Sequence, residues 1–268
     1  MNKSIGFIGA GNMAKAIIKG LSQNDMQNSE LYVYDTDGKK TADLINEFSV
    51  NQLPCNTEIA KQCDIIVLAV KPNIYNTVLT EIKSYLNKEQ IIVSLGAGIT
   101  INQIENYSDI ALKILRVMPN MPVSVGQGMI AVTTNENVTE EEKIAVLNIF
   151  CSLGEVDIID ESLMNMIPAV SSSSPAFVYM FIEALADGAV LQGMGRKKAY
   201  KYAAQAVLGA AQMVLEAHKH PGELKDMVCS PAGTTIEAVY SLEKSGFRGS
   251  IIEAMNICTK KTQKMACD

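Results

Sequence analysis

A glycine-rich turn near the amino terminus has the residue types and spacing of a phosphate-binding site. It reads Gly9-Ala10-Gly11-Asn12-Met13-Ala14, the pattern Gly-x-Gly-x-x-Ala, and stands between an apolar run and a predicted helix. Gly9 would allow the tight turn, Gly11 would let backbone approach a pyrophosphate, and Ala14 would let the helix pack on the sheet. The helix amides would bind the phosphates. We predict dinucleotide binding by Gly9, Ala10, Gly11, Asn12 and Met13.

A carboxylate stands where the next predicted strand ends. Asp35 follows the apolar run 31–34 and lies about twenty residues beyond the glycine turn. A carboxylate at this position accepts hydrogen bonds from the ribose hydroxyls and repels a 2′-phosphate. We therefore expect NADH to be used at least as well as NADPH, although Lys39 and Lys40 lie close enough to weaken the preference.

Further candidates lie where two later predicted strands end. Val70-Lys71-Pro72 ends the most apolar run of the chain, and Ser94-Leu95-Gly96-Ala97-Gly98 ends the next. The carboxyl ends of parallel strands line the ligand crevice, so Lys71 would place a cation beside a nicotinamide. A surface lysine before a helix, and a plain glycine turn, are the alternatives.

A third group of residues that could bind a ligand lies near the carboxyl terminus. Ser230-Pro231-Ala232-Gly233-Thr234-Thr235 precedes an apolar-periodic helix. Free amides at a helix start bind carboxylates, and the Thr235 hydroxyl both donates and accepts hydrogen bonds. An ordinary helix cap rich in Ser and Thr is the alternative.

Two kinds of architecture must position these residues. Over residues 1–160, predicted strands at 3–8, 31–34, 64–70, 90–95, 111–117 and 129–133 alternate with helices at 12–21, 38–48, 72–86 and 139–152. From residue 161 the chain reads as helices, at 176–192, 197–218, 221–228, 233–245 and 247–265. We predict an α/β fold: an N-terminal Rossmann domain with a doubly wound, mostly parallel sheet over 1–160, then an all-α dimerisation domain over 161–268.

The composition excludes several classes of protein. The 268 residues are 48% hydrophobic with a net charge of −6, which argues against a nucleic-acid partner. The longest apolar stretch, 176–194, is broken by Glu183 and Asp187, so we expect no membrane span. Only two histidines occur, and the six cysteines form no Cys-x-x-Cys pair. We therefore predict no metal site and a cytoplasmic protein with reduced thiols.

The chain resembles the pyrroline-5-carboxylate reductase family along its whole length. The resemblance rests on residues 6–14, Asn56, Ala69-Val70-Lys71-Pro72, 94–98, Arg116-Val117-Met118-Pro119-Asn120-Met121-Pro122 and, most specifically, residues 220–235. It implies cofactor binding by Asn56, Ala69, Val70, Lys71, Pro72 and Ala97. It also implies substrate binding by Ser230, Gly233, Thr234, Thr235 and Glu161, with Thr235 and Lys71 as catalytic residues. For Glu161, a helix-capping role is the alternative.

In this family the loop 230–235 would hold the pyrroline carboxylate while the Thr235 hydroxyl meets the ring nitrogen. Two departures stand out. The usual Ser-Gly-Ser-Gly-Pro-Ala is replaced by Ser171-Ser172-Ser173-Ser174-Pro175-Ala176, which removes the conformational freedom of two glycines. Asp35-Thr36-Asp37 stands where many members have Ser-Arg or Asn-Arg, residues that favour NADPH.

The resemblance implies hydride transfer from NADPH or NADH, with NADH favoured by Asp35, to C5 of 1-pyrroline-5-carboxylate, giving L-proline in the last step of proline biosynthesis. The alternatives are a related imine reductase or a β-hydroxyacid dehydrogenase. The dehydrogenase uses a lysine on the first helix of its helical domain, and residues 171–195 contain none. An inactive nucleotide-sensing homologue is a third alternative.

The long helices at 176–192 and 197–218 carry apolar residues around much of their circumference. A small helical domain leaves such faces exposed unless a partner covers them. The resemblance implies an intertwined homodimer through this domain, often assembled into a ring of dimers. Whether five dimers form a decamer is left open.

Overall fold

The computed structural model describes residues 3–23 and 30–267, whose helices and strands fall into two units. The first unit comprises Met1–Ser173 and Cys258–Asp268, and the second comprises Ser174–Ile257. The first contains every strand of the described residues, and the second is helical.

The first unit is built on an eight-stranded sheet with the order β3-β2-β1-β4-β5-β6-β7-β8. Every neighbouring pair is parallel except β6 and β7. The predicted doubly wound, mostly parallel sheet is thereby confirmed. The strands are β1 Ile5–Ile8, β2 Leu31–Tyr34, β3 Asn51–Gln52, β4 Ile65–Leu68, β5 Ile91–Ser94, β6 Lys113–Met118, β7 Gly128–Thr134 and β8 Gly154–Ile158.

Six α-helices belong to the described part of this unit before residue 161. They are α1 Asn12–Gln23, α2 Gly38–Glu47, α3 Asn56–Gln62, α4 Tyr75–Ile82, α5 Ile101–Glu105 and α6 Glu140–Cys151. Thr139 and Glu142 form a capping box at the start of α6. The single helix predicted over 72–86 is instead α4 flanked by 3-10 turns, Pro72–Ile74 and Lys83–Tyr85, because helix ends often tighten to this geometry.

Hydrophobic cores lie on both faces of the sheet. Successive residues of a strand point to opposite faces, so Ile65 and Val67 enter one core while Ile66 and Leu68 enter the other. Helices cover both faces, which explains why β4 is apolar without alternation. Each such side chain contributes about 1.5–3 kcal/mol of hydrophobic stabilisation, so the edge formed by the strand carboxyl ends is firmly supported.

The second unit contains long helices and little core of its own. The helices are α7 Ser174–Leu191, α8 Arg196–Glu216, α9 Pro221–Met227, α10 Thr234–Lys244 and α11 Phe247–Cys267, the last of which continues into the first unit. A small core around Ala186, Ala199 and Ala203 holds α7 against α8. By length and composition alone, the helical stretch Pro168–Leu191 could cross a membrane, despite Glu183 and Asp187.

Candidate active site

The glycine turn joins β1 to α1 and has the geometry that its sequence predicts. Gly9 has φ +102°, and a Cβ there would lie 2.8 Å from the carbonyl oxygen of Ala69. Only glycine fits this position, and its contact brings the turn against the end of β4. Ala14 is fully buried in the core beneath α1. Gly9 thus lies against Ala69 and Val70, which are also predicted cofactor residues.

The space beside Gly11 is open. A Cβ on Gly11 would meet no atom of the described residues within 4 Å, and α1 begins at the next residue, Asn12. The first amides of a helix have no partner within it and attract anions. Open space in front of a helix start is the arrangement that a dinucleotide pyrophosphate requires.

Asp35 is tied to the glycine turn by its own carboxylate. The Ala10 N–H donates to Asp35 Oδ2 at 2.7 Å, and the Asp37 N–H donates to Oδ1 at 2.8 Å. A carboxylate has about four acceptor positions, so two remain for ribose hydroxyls. Asp35 therefore holds the turn in shape and places a negative charge beside it. The sequence predicted the charge but not the bond to Ala10.

Asn56 begins α3 and is almost buried. Its Nδ2 donates to Glu81 Oε2 on α4 at 2.8 Å. Glu81 therefore anchors a residue that the resemblance assigns to the cofactor. Sequence reasoning missed Glu81, because it lies 25 residues away on another helix.

The loop after β5 is packed closely against α4. A Cβ on Gly96 would lie 2.7 Å from the ring of Tyr75, so a larger residue would displace that ring. The buried Tyr75 hydroxyl donates to the Leu68 carbonyl oxygen at 2.8 Å and accepts from Ser94 Oγ at 3.2 Å. Burial raises the pKa of Tyr75 to about 12, which keeps it a neutral donor. Ala97 follows in this loop.

Glu161 lies in a network with a buried arginine. Its Oε1 accepts from Arg116 Nη1 at 3.2 Å and from the Ile101 N–H at 2.8 Å. Arg116 Nη2 donates to Asn165 Oδ1 at 2.7 Å. Burial lowers the pKa of Arg116, and the charge of Glu161 opposes this shift. Arg116 lies inside the predicted strand 111–117, and a charged residue at such a place could have indicated this pair.

The serines that replace family glycines are accommodated. Among the described non-glycine residues, only His218 and Ala232 have positive φ, so neither Ser172 nor Ser174 needs glycine's freedom. Ser172 Oγ donates to the Pro119 carbonyl oxygen at 3.1 Å, and Ser174 begins α7. The backbone at these two positions therefore does not need the glycines that the family usually has.

The loop 230–235 lies in the second unit. Gly233 caps α10 with no side-chain hydrogen bond to the first turn, and Thr234 and Thr235 are the first helical residues. A Cβ on Gly233 would lie 2.2 Å from Ser230 Oγ, so the turn is tight. Ala232 has φ +56°, a left-handed conformation that costs an alanine about 1–2 kcal/mol.

The predicted catalytic pair is divided between the units. Lys71 is exposed after β4 in the first unit, and Thr235 belongs to the second. The predicted cofactor residues therefore belong to one unit and the predicted substrate residues 230–235 to the other. Glu161 belongs to the first unit, with the cofactor residues.

Comparison with known proteins decides the family. A pyrroline-5-carboxylate reductase of Escherichia coli (strain K12) is 51% identical over 267 residues, covering 99% of each chain. This chain belongs to the pyrroline-5-carboxylate reductase family. Another reductase of that name, from Methanosarcina acetivorans, is 38% identical over 98% of each chain.

Both parts of this family member match known domains. A family described as pyrroline-5-carboxylate reductase dimerisation matches residues 161–265, and one described as coenzyme F420-dependent NADP oxidoreductase matches residues 4–98. The crystal structure of Plasmodium falciparum pyrroline carboxylate reductase with NADP bound has a TM-score of 0.91 at 34% identity. It covers 99% of this chain and 98% of that one.

Proposed function

We propose that the protein is a pyrroline-5-carboxylate reductase, which reduces the C=N bond of 1-pyrroline-5-carboxylate to give L-proline, the last step of proline biosynthesis. The observation that carries this function is the full-length identity of 51% to a reductase of that name. In this proposal the glycine turn binds the cofactor and the loop 230–235 binds the substrate. A β-hydroxyacid dehydrogenase is disfavoured because residues 171–195 contain no lysine.

The chain's contribution to catalysis is binding and orientation. A nicotinamide cofactor supplies the hydride, and the imine accepts it at C5 when its nitrogen is protonated. We assign the substrate carboxylate to the amides and hydroxyls of Ser230, Gly233 and Thr234. The Thr235 hydroxyl accepts a hydrogen bond from the protonated ring nitrogen and so holds C5 in place. Lys71 supplies positive charge at the nicotinamide end.

For the cofactor, we assign the pyrophosphate to residues 9–13, the adenine ribose to Asp35 and Asn56, and the nicotinamide end to residues 69–72 and Ala97. Asp35 favours NADH, because its negative charge repels a 2′-phosphate. The proposed hydride transfer does not require a metal ion.

Assembly follows from the faces of α7 and α8. Tyr179, Met180 and Leu191 on α7 and Leu208 and Leu215 on α8 are exposed in the single chain. The match of residues 161–265 to a dimerisation family supports a homo-oligomer formed through these helices. We propose a dimer as the smallest active unit and assign α7 to this interface rather than to a membrane. A decamer of five dimers and a cytoplasmic location remain predictions.

The test is reduction of racemic 1-pyrroline-5-carboxylate by the purified protein, followed by the loss of nicotinamide absorbance with NADH and with NADPH. We expect turnover with both cofactors and proline as the product. A 3-hydroxy acid oxidised faster than the imine is reduced would support the dehydrogenase. Cofactor binding with no turnover of either substrate would support the nucleotide-sensing alternative.

A further inference from the structure

The charged side chain of Arg116 is buried, which costs free energy of solvation. Only 1% of its surface is exposed, and it lies on β6 directly beside Ser94 of β5. Its Nε–H has no hydrogen-bond acceptor among the described residues. A buried ion pair is commonly no more stabilising than apolar residues of the same volume, so stability alone does not explain this arginine.

Glu161, the charge partner of Arg116, makes a second hydrogen bond. The same oxygen of Glu161 that accepts from Arg116 also accepts the backbone N–H of Ile101, at 2.8 Å. Ile101 is the first residue of α5, where the helix itself leaves the N–H unpaired. Glu161 therefore fixes the point at which the loop 95–100 ends.

The beginning of the same loop is fixed independently. Ser94 donates to the buried Tyr75 hydroxyl, and Gly96 lies against the Tyr75 ring with no room for a Cβ. The loop is thus held at Ser94 by Tyr75 and at Ile101 by Glu161. Ala97, assigned above to the nicotinamide end of the cofactor, lies between these two anchors.

We propose that Arg116 is a positioning residue for the cofactor, acting through Glu161 and Ile101 to hold the loop 95–100 in its binding shape. The buried guanidinium orients the Glu161 carboxylate, and the carboxylate orients the loop. This inference rests on the proposed function only in placing a dinucleotide against Ala97. It gives Glu161 a different task from the substrate contact that the family resemblance implies.

The main test compares two substitutions at Ile101, one that removes the backbone N–H and one that keeps it. Proline is tolerated at the first position of a helix but has no N–H, whereas alanine keeps it. Both substitutions remove most of the isoleucine side chain. We expect Ile101→Pro to weaken NADH binding about tenfold, the effect of losing a hydrogen bond to a charged group. Ile101→Ala removes a buried side chain but keeps the N–H, so it should weaken NADH binding clearly less than Ile101→Pro does.

Three further variants test the chain of contacts. Glu161→Gln keeps an oxygen for Ile101 but loses the charge that pairs with Arg116, so it should weaken NADH binding less than Glu161→Ala does, and Glu161→Ala should match Ile101→Pro. Asn165→Ala removes the other acceptor of Arg116. It should lower the melting temperature without changing NADH affinity.

NADH affinity is measured by fluorescence titration without substrate, so the result does not depend on which imine is reduced. KM for 1-pyrroline-5-carboxylate is measured alongside and should change less than about twofold in Glu161→Ala. The proposal is overturned if Glu161→Ala raises the imine KM and leaves NADH binding intact. It is also overturned if Ile101→Ala or Asn165→Ala weakens NADH binding as much as Ile101→Pro does. If the parent binds NADH but reduces no imine, the proposed function fails while this test still stands.

Discussion

Replacing Asp35 by asparagine should shift cofactor preference toward NADPH. The parent carboxylate accepts from the Ala10 N–H at 2.7 Å, and asparagine keeps an oxygen for that bond while removing the charge. The second bond, from the Asp37 N–H, lies at an exposed residue where water can replace it. The substitution therefore tests the charge with the shape of the glycine turn retained.

The magnitude follows from the repulsion between two anions. Unit charges at ~4 Å repel by about 1 kcal/mol in water and about 4 kcal/mol at an effective dielectric constant near 20. Asp35 is half-buried, which places the effect toward the lower end of this range. Since about 1.4 kcal/mol corresponds to a factor of ten, we expect the ratio of kcat/KM for NADPH to that for NADH to rise about tenfold.

The assay measures kcat/KM for both cofactors at saturating imine in the parent, Asp35→Asn and Asp35→Ser. Serine loses both the charge and the reach to Ala10, so it should also weaken NADH binding by about 1–3 kcal/mol. Asp43→Asn, an exposed change on α2, is the control for net charge. A parent that strongly prefers NADPH, or an unchanged ratio in Asp35→Asn, would refute the reasoning.

Four further predictions follow from the same geometry. Gly9→Ala should lower Tm through strain of about 1–3 kcal/mol, whereas Gly11→Ala should keep Tm but weaken NADH binding in a titration, since its Cβ occupies the phosphate space. Thr235→Ala should lower kcat/KM by about 1–3 kcal/mol with less effect on NADH affinity; parent-like imine reduction would contradict its role. Ala232→Gly should raise the free energy of unfolding by about 1 kcal/mol in urea titrations, because φ is +56°. Light scattering at assay concentration should find no active species near 29.0 kDa, and a fully active monomer would exclude the dimer proposal.

Much of the fold could be predicted because its signals are local. The continuous apolar run of β4 indicates a strand buried on both faces, and the Thr139–Glu142 capping box indicates the start of α6. The short elements had no comparable signal. β3 has two exposed polar residues and α5 only five residues, so both depend on neighbouring elements rather than on their own pattern.

The site divides in the same way. Gly9 and Asp35 could be proposed as cofactor-binding residues because a turn and a strand end constrain residue type directly. The contacts that anchor them could not, because Ala10–Asp35 and Asn56–Glu81 each span 25 residues of sequence. Sequence spacing predicts which residues can do chemistry, whereas the residues that hold them in place are found only once the sheet is folded.

The helical unit presents the converse problem. In α7 only Ala186 is fully buried, while Tyr179, Met180 and Leu191 remain exposed. A helix that is apolar around its whole circumference is expected to be buried. The same pattern occurs in the core of a bundle, in a membrane span and at an interface between subunits. The match to a dimerisation family favours the interface. A charge introduced on this surface should therefore weaken assembly. We expect Met180→Glu to dissociate the oligomer, and the activity of this variant should fall together with the assembled fraction as the protein is diluted.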